Sequence, residues 1–289
     1  MFNFLKKISI ILHSGRVVLW FPILTNVIVL SFCLHRSIAE ALVLAASLCC
    51  VASYGFLIND LWDMAVDRRN KAGRLENVSA NVLRMARVGT GLFLLFGLVL
   101  SCMLGLRSFL AISIVAVALT AYTCWVRPKL FLANILAALL ASTPVWLPNI
   151  IFNESPRIAQ TFLIAIAVLI LLGREIVFDV ADRLGDNKMK RQTIPIVFGD
   201  QMAAQVAVTL QLTGCALLIG SGLYGIWNLP AYVQLIVITT SIGFVLLIVP
   251  VSLKFLSTRN DASIINLFTL HTRLAMLLLP ILLFVFTSK

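Results

Sequence analysis

Long apolar runs recur along the whole chain, and they constrain its fold more than any other feature. A helix needs about 20 apolar residues to cross a bilayer, because each residue adds about 1.5 Å. The mean hydropathy of +1.02 and the 61% share of hydrophobic residues lie far from the composition of soluble domains. The sequence therefore predicts an all-α polytopic membrane protein, with residues 1–289 forming one integral membrane domain. Nine transmembrane helices are predicted, at residues 17–34, 38–60, 83–105, 108–126, 130–151, 158–179, 201–226, 231–253 and 265–287.

Basic residues are distributed unevenly between the two sides of the predicted bundle. With a cytoplasmic N-terminus, 17 of the 23 lysines and arginines fall on the cytoplasmic side and 4 on the other, while Arg174 and Arg273 lie within spans. Cytoplasmic loops of membrane proteins carry such an excess, so the bias predicts a cytoplasmic N-terminus. Topology and attraction to anionic lipid explain the net charge of +11. That charge is therefore no argument for a nucleic-acid partner.

Cysteine and histidine offer no metal site in this sequence. The six cysteines lie in or near apolar spans without CxxC or CxxxH spacing, which is typical of small packing residues. The three histidines are scattered at positions 13, 35 and 271. If a metal binds, its ligands are expected to be oxygens.

Acidic residues concentrate at the ends of two predicted spans, in residues 59–67 (NDLWDMAVD) and residues 175–186. Both segments contain the spacing D-x-x-D-x-x-x-D. At about 100° per residue, each set falls on one face of a helix, provided that the second helix continues past Gly185. Two acidic stripes at one membrane depth repel each other unless cations lie between them. The stripes comprise Asn59, Asp60, Asp63 and Asp67, and Glu175, Asp179, Asp182 and Asp186.

Three hypotheses account for these stripes. The acids could be solvated helix ends that balance neighbouring arginines, or the cation-binding groups of a transporter, although transporters usually hold such groups near the bilayer midplane. They could also bind a divalent metal that holds a polyanionic substrate, since carboxylate oxygens suit Mg²⁺. Bases that could bind phosphate follow both stripes and favour this third hypothesis. These bases are Arg68, Arg69, Lys71 and Arg74, and Arg183, Lys188, Lys190 and Arg191.

Three motifs in this order resemble those of one known family. The first stripe, followed by N-K-x-x-R at residues 70–74, resembles the first aspartate motif of the UbiA superfamily of intramembrane prenyltransferases. Residues 174–199 (REIVFDVADRLGDNKMKRQTIPIVFG) resemble the second motif. Between them, Tyr122 and Arg127 in YTCWVR resemble the family's tyrosine with a basic residue five positions on. The resemblance covers essentially the whole chain.

The resemblance implies a helical bundle around a central cavity that opens sideways to lipid. A polyprenyl diphosphate would lie there, with its diphosphate held by Mg²⁺, as two ions, between the two motifs. Departure of the diphosphate would leave an allylic carbocation, which a small acceptor attacks at C1. The acceptor would be an aromatic quinone precursor or a glycerol-phosphate-type lipid. The expected location is a bacterial or archaeal cell membrane, with the active site facing the cytoplasm.

Positions in the matched motifs imply roles for individual residues. The expected metal ligands are Asn59, Asp60, Asp63, Asp67, Asp179, Asp182 and Asp186. The expected diphosphate contacts are Arg68, Lys71, Arg74, Arg127 and Lys188. Catalytic roles are expected for Asp63, Asp67, Asp179, Asp182 and Tyr122. Asn134 is either a polar cavity residue or a helix–helix hydrogen-bonding residue. Four aromatic residues could stabilise a carbocation or simply pack in the membrane, namely Phe56, Trp62, Trp146 and Phe178.

Acceptor identity stays open at the level of sequence. The family usually places proline after N-K-x-x-R, whereas residues 75–77 here are Leu-Glu-Asn, in a loop that lies over the active site in the family. The form of the second motif looks more like the branch acting on geranylgeranylglyceryl phosphate, homogentisate or chlorophyllide than the 4-hydroxybenzoate branch. The superfamily also contains terpene cyclases, in which the alkene of the chain itself attacks the cation. Cyclisation and cation-coupled transport therefore remain alternatives.

Overall fold

Helices joined by short turns account for nearly all of the described chain. The computed structural model describes residues 12, 13, 15–64, 78–226, 230–258 and 261–287, and these residues contain no β-strand. A 3₁₀ turn, Val17–Leu19, leads into the first helix. The α-helices, numbered in chain order, are α1 (Trp20–Cys33), α2 (Ile38–Trp62), α3 (Ala80–Met103), α4 (Leu106–Ala121), α5 (Leu132–Ala141), α6 (Thr143–Phe152), α7 (Ile158–Lys188), α8 (Ile194–Ile226), α9 (Ala231–Ser257) and α10 (Ala262–Thr287).

Every predicted span corresponds to a helix or a helix pair in the described residues. Seven helices are long and apolar enough to cross a membrane: α2, α3, α4 with its following turn, α7, α8, α9 and α10. The pair α5 and α6, bent by 66°, would make an eighth if it is one span, and Val17–Cys33 is a shorter apolar helix. These helices make the protein a multi-pass membrane protein. The total of nine spans and the sidedness of the termini remain predictions.

Polar segment 180–200, predicted as a connection between spans, is mostly helical. Helix α7 continues through Gly185 to Lys188, and α8 already begins at Ile194, with a break at Gly199 where φ is 82°. The hydropathy prediction ended the first of these helices too early and began the second too late. Charged residues lower the hydropathy even where they lie in a helix and face a protein cavity. As a result, all four acids of the second stripe lie on one helix.

The end of α7 is a Schellman motif, a helix end closed by a left-handed residue. Lys190 takes that conformation with a φ of 55°, and its N–H donates to the Asn187 carbonyl at 3.1 Å. The N–H of Arg191 donates to the Asp186 carbonyl at 3.0 Å. One residue later, the N–H of Gln192 donates to the Pro128 carbonyl at 3.2 Å, which joins this turn to the α4–α5 connection.

A π-helical turn, Tyr122–Val126, closes α4. Its hydrogen bond runs from the N–H of Arg127 to the carbonyl of Tyr122, five residues earlier, at 2.9 Å. In a regular α-helix, residues five apart would point about 140° away from each other. The π turn therefore places Arg127 above Tyr122, on the same side of the helix.

The bend between α5 and α6 replaces the single straight span predicted at residues 130–151. The two helices meet at Ser142, and Pro144 stands in the first turn of α6. Proline has no N–H to donate, so it fits the first turn of a helix, where the N–H groups have no partner within the helix. The chain therefore restarts its helix here instead of continuing it.

Close helix contacts depend on small residues. The Ser47 hydroxyl of α2 donates to the Gly97 carbonyl of α3 at 2.7 Å, and a Cβ on Gly97 would lie 2.6 Å from Val51. On the other side, a Cβ on Gly173 of α7 would lie 2.7 Å from the Ala207 carbonyl of α8. Small residues let membrane helices approach closely. Helix pairs α2–α3 and α7–α8 thus form tight units on either side of a central space.

Candidate functional site

A cavity of about 530 Å³ lies among helices α1, α2, α4, α5, α6, α7 and α10. This volume is within the range of about 300–1,000 Å³ that is usual for small-molecule sites. One end of the cavity lies where α2 and α7 end, and we call it the motif end. Four members of the predicted metal set line the cavity, namely Asn59, Asp179, Asp182 and Asp186.

Arg191 joins the two acidic segments at the motif end. Its Nη2 lies 2.6 Å from Asp63 Oδ1, and its Nη1 lies 3.1 Å from Asp186 Oδ1. All three side chains are buried, at 9%, 2% and 5% exposure. Two buried carboxylates from α2 and α7 therefore share one guanidinium. The sequence grouped Arg191 only with the bases that follow the second stripe.

Arg127 neutralises the first segment from the end of α4. Its Nη1 donates to Asn59 Oδ1 at 2.7 Å and also pairs with Asp63 Oδ2. Burial, and next the charge of Arg191, lower the pKa of Arg127. Because arginine starts from a very high pKa, the side chain remains a cation. The π turn that aligns Arg127 with Tyr122 also brings Tyr122 to the cavity lining.

Asn134 connects α5 to the second acidic segment. Its Nδ2 donates to Asp179 Oδ2 at 2.8 Å, and the side chain is 4% exposed. The residue also lines the cavity. Both alternatives considered for Asn134 are therefore realised at once, a cavity-facing polar group and a helix–helix hydrogen bond.

Two of the four aromatic residues face the cavity, each close to an arginine. The Arg16 guanidinium lies 4.4 Å from the centre of the Phe56 ring, and the Arg174 guanidinium lies 5.5 Å from that of Phe178. The other two are not among the cavity-lining residues. Trp62 is 57% exposed, and the Trp146 Nε1 donates to Ser142 Oγ at 3.1 Å. Both tryptophans fit a packing or anchoring role.

Asp60 turns away from the cavity lining toward the N-terminal turn. It is 4% exposed, and its Oδ1 lies 3.7 Å from Arg16 Nη2. Lys188, predicted as a diphosphate contact, is exposed and is not among the lining residues. Four further predicted residues lie outside the described residues, namely Asp67, Arg68, Lys71 and Arg74. The roles assigned to all of these residues stay predictions.

Several cavity-lining residues were not among the predicted metal, diphosphate or catalytic residues, although Glu175 was part of the second acidic stripe. Arg16, Arg174, Glu175 and Arg273 all line the cavity. Arg174 pairs with Glu175 through Nη2 and Oε1 at 2.6 Å. The available signal was the placement of Arg174 and Arg273 inside predicted spans, because an ionised side chain within a membrane helix is costly and usually functional.

Mg²⁺ fits the donor set at the motif end by its chemistry. Carboxylate and amide oxygens from α2 and α7 line one end of one cavity, and hard oxygen donors are what Mg²⁺ prefers. Within the described ranges, no three His, Cys, Asp or Glu side chains already form a metal-binding group. The reason is visible at Asp63, whose two oxygens both pair with arginines. Those guanidinium groups supply the positive charge that the acidic segments need.

Comparison with known proteins gives consistent results. The UbiA prenyltransferase family matches residues 19–285. The digeranylgeranylglyceryl phosphate synthase of Methanosphaera stadtmanae is 26% identical over 199 residues, which are 68% of this chain and 71% of that protein. The protein of the same name from Pyrococcus abyssi is 34% identical over 158 residues, 54% of this chain and 55% of that protein. The chain thus spans only about half the length of some of these relatives.

Solved structures of the same family share the fold. The apo structure of a UbiA homologue from Aeropyrum pernix K1 superposes with a TM-score of 0.72 at 18% identity, over 93% of this chain and 96% of that one. A UbiA homologue from Archaeoglobus fulgidus bound to GPP and Mg²⁺ superposes with a TM-score of 0.63 at 20% identity, over 93% and 98%.

Proposed function

The chain belongs to the UbiA prenyltransferase family of membrane enzymes, and from this premise we propose its reaction. It transfers a prenyl group from a polyprenyl diphosphate to a small acceptor within the membrane, in a reaction that depends on Mg²⁺. The observation that carries the proposal is the bridge that Arg191 makes between Asp63 and Asp186 at the motif end of the cavity. It brings acids that suit a metal and a base that suits phosphate to one place.

The cavity below this bridge suits a prenyl chain. Its walls on α2, α4 and α5 are mostly apolar, with lining residues such as Leu48, Val51, Val115, Leu119 and Leu140. An apolar pocket buries the hydrocarbon and keeps water from a carbocation. The diphosphate would then lie at the motif end, within reach of Arg127 and Arg191.

Each group at the motif end has a task in this reaction. When bound, Mg²⁺ supplies Lewis acidity and positive charge to the departing diphosphate, and Asn59, Asp179 and Asp182 would hold it, as one or two ions. Arg127 and Arg191 would bind diphosphate oxygens as bidentate donors. The bond from C1 to the diphosphate oxygen breaks, and its electron pair leaves with the diphosphate. The acceptor nucleophile forms the new bond to C1 and loses its proton to a carboxylate of the cavity.

A glycerol-phosphate-type lipid is the acceptor that we propose. The relatives described above are named digeranylgeranylglyceryl phosphate synthase, and the form of the second motif favours the same branch. We also propose that the motif end faces the cytoplasm, because the predicted loops on that side carry most of the basic residues.

Diphosphate release from a labelled prenyl diphosphate by the purified protein tests this function. Release should require Mg²⁺, and Asp179→Asn should lower its rate about 100-fold or more, because the departing charge loses a metal ligand. The matched control is Glu154→Gln. Glu154 lies between α6 and α7, away from the cavity lining, and its exposed carboxylate pairs with Arg36. The control should keep the activity of the unmodified protein.

The products decide between the alternatives. A prenylated glycerol-phosphate lipid, detected by mass spectrometry, supports the proposal, whereas a cyclic hydrocarbon or terpene alcohol without acceptor indicates a cyclase. Release that persists in EDTA and in Asp179→Asn would refute a metal-dependent transfer. Movement of a solute into proteoliposomes without consumption of prenyl diphosphate would instead identify a transporter.

A further inference from the structure

The cavity has a second wall that the prenyl chain and the diphosphate do not explain. Besides the apolar residues of α2, α4 and α5, helices α7 and α10 present polar groups to the same space. These lining residues are Arg174, Glu175, Asn266, Thr269 and Arg273. We call them, together with Asn26 of α1, the polar wall.

Part of the polar wall lies deeper in the bundle than the acidic segments. The hydrogen bond from Asn134 to Asp179 fixes one level along α7. Arg174 precedes Asp179 by five residues, so it lies about 7.5 Å further from the motif end along the helix axis. A group bound there would be close to C1 of a prenyl chain whose diphosphate lies at Asp179 and beyond.

Helix α10 contributes a polar stripe that runs inward from the motif end. At about 100° per residue, Asn266, Thr269 and Arg273 fall within an arc of about 60°. Arg273 is eleven residues from the start of the helix at Ala262, which places it about 17 Å along the axis. An arginine at that depth in a candidate span is costly, and such residues usually mark a substrate site.

The charges of the polar wall suit an anion. Arg174 directs both Nε and Nη2 to a single oxygen of Glu175, at 3.2 and 2.6 Å, and this pair is electrically neutral. Arg273 adds a second guanidinium to the same wall. The polar wall therefore carries two guanidinium groups and the carboxylate of Glu175.

Asn26 offers a buried hydrogen-bond acceptor to the cavity. Its Nδ2 donates to the Pro22 carbonyl at 2.8 Å, and the side chain is 4% exposed. Its Oδ1 has no hydrogen-bond partner within the described part of the chain, although the residue lines the cavity. A buried acceptor left unpaired destabilises the protein, because it has lost its hydrogen bonds to water. A ligand hydroxyl or amide that donates to Oδ1 would remove this cost.

We propose that the polar wall is the subsite for the head group of the acceptor, and that it selects a phosphate monoester carrying a hydroxyl group. Arg273, with Arg174, binds the phosphate, and Asn26 Oδ1 accepts a hydrogen bond from a hydroxyl of the glycerol. The prenyl chain then occupies the apolar wall, so the two substrates meet near Asp179. This inference rests on the proposed function and specifies its acceptor site.

A matched pair of acceptors tests the phosphate contact. The two lipids are a glycerol monoether phosphate and the same monoether without phosphate, each titrated at a saturating concentration of prenyl diphosphate. The unmodified protein should show a KM at least about tenfold lower for the phosphate, since charge-assisted hydrogen bonds are strong. Arg273→Gln should abolish this preference and leave the KM for prenyl diphosphate within about twofold. Arg273→Lys, which keeps the charge, should retain part of the preference.

Two further variants separate the subsite from a general loss of structure. Asn26→Leu should raise the KM for both lipids and preserve the preference between them, because both carry the glycerol hydroxyl. Arg107→Gln, at an exposed arginine outside the cavity lining, should change neither value. An Arg273→Gln protein that still prefers the phosphate by the original factor would overturn the proposal. So would a protein that accepts only an aromatic acid.

Equilibrium binding distinguishes failure of this inference from failure of the proposed function. The phosphate lipid alone, without prenyl diphosphate, should raise the thermal midpoint of the unmodified protein more than its phosphate-free counterpart does. The difference should vanish in Arg273→Gln. If the two lipids give different thermal midpoints but no acceptor is ever prenylated, the result supports the subsite and refutes the proposed reaction. Equal midpoints with both lipids in the unmodified protein would refute the subsite.

Discussion

At the scale of single residues, arginines make the acidic segments tolerable. Asp63 is 2% exposed and pairs with both Arg127 and Arg191. Removing one partner of a buried ion pair strands the other charge, which costs far more than the pair itself contributes. The guanidinium groups therefore hold these carboxylates close together, and we expect that a bound metal ion can replace a guanidinium there.

Substitution of Arg191 tests this exchange. Arg191→Met should lower the free energy of unfolding by about 3 kcal/mol, because Asp63 and Asp186 lose their shared cation. Mg²⁺ should then stabilise the variant more than it stabilises the unmodified protein, since a bound ion would replace the missing charge. Unfolding measured in detergent, with and without Mg²⁺, gives both values.

Arg183→Met is the matched control for that measurement. It removes a neighbouring arginine whose pair with Asp200, at 2.5 Å, involves a guanidinium that is 45% exposed. A pair of that kind contributes about 0–1 kcal/mol. If Arg191→Met were no more destabilising than this control, the bridge between the segments would not support the fold.

At the scale of secondary structure, two irregular helix ends position the arginines. The π turn after α4 aligns Arg127 with Tyr122, and the Schellman motif after α7 turns the chain so that Arg191 points back to Asp186. Local irregularities of this kind are often found at functional sites, where tertiary contacts stabilise them. If both helices had continued regularly, the side chains of Arg127 and Arg191 would point in other directions.

Lys190 gives a direct test of the second irregular end. A left-handed conformation costs a residue with a side chain about 1–2 kcal/mol, and glycine avoids this cost. Glycine also loses more conformational entropy on folding, which offsets about 0.5–1 kcal/mol of the gain. Lys190→Gly should therefore raise the free energy of unfolding by about 0.5–1 kcal/mol. Lys188→Gly, two residues earlier in the last helical turn, should lower it by about 0.5–1 kcal/mol. Effects of equal sign in the two variants would contradict the assigned helix end.

At the scale of the whole molecule, the arrangement of the helices creates one cavity with two unlike walls. The acidic segments close its motif end, α2, α4 and α5 provide apolar surface, and α7 and α10 provide polar groups. A site of this form can hold a hydrocarbon chain and a polar acceptor side by side while excluding water from the reacting carbon.

The apolar wall should set the length of the prenyl chain. Ala52 lines the cavity on α2, seven residues or about 10.5 Å before Asn59. Ala52→Phe should fill this part of the cavity, so that preference shifts to shorter prenyl diphosphates while short substrates retain most of their kcat/KM. Ala39→Phe, at an exposed position in the first turn of the same helix, is the control. Competition between prenyl diphosphates of different length measures the shift, and an unchanged preference would argue against this placement of the chain.

Hydropathy and residue spacing were sufficient for much of the result. Apolar runs predicted the helical membrane fold, because each span must satisfy its backbone hydrogen bonds internally. The shared aspartate spacing predicted that residues 59–67 and 174–199 act together. Asn59, Asp179, Asp182 and Asp186 of the acidic stripes line the cavity, as do Tyr122, Arg127 and Asn134, which the family resemblance implied. The roles of these residues stay predictions.

Other features follow only from how the helices pack. Spacing along one helix cannot show which arginine from another helix meets Asp63, so the bridge through Arg191 was not predictable. Nor could periodicity reveal the π turn, the bend at Ser142 or the polar stripe of α10, because each depends on what the neighbouring helices leave open. The sequence by itself determined which charges must be paired within the membrane. The tertiary structure decided which partners pair them and which wall of the cavity remains for a second substrate.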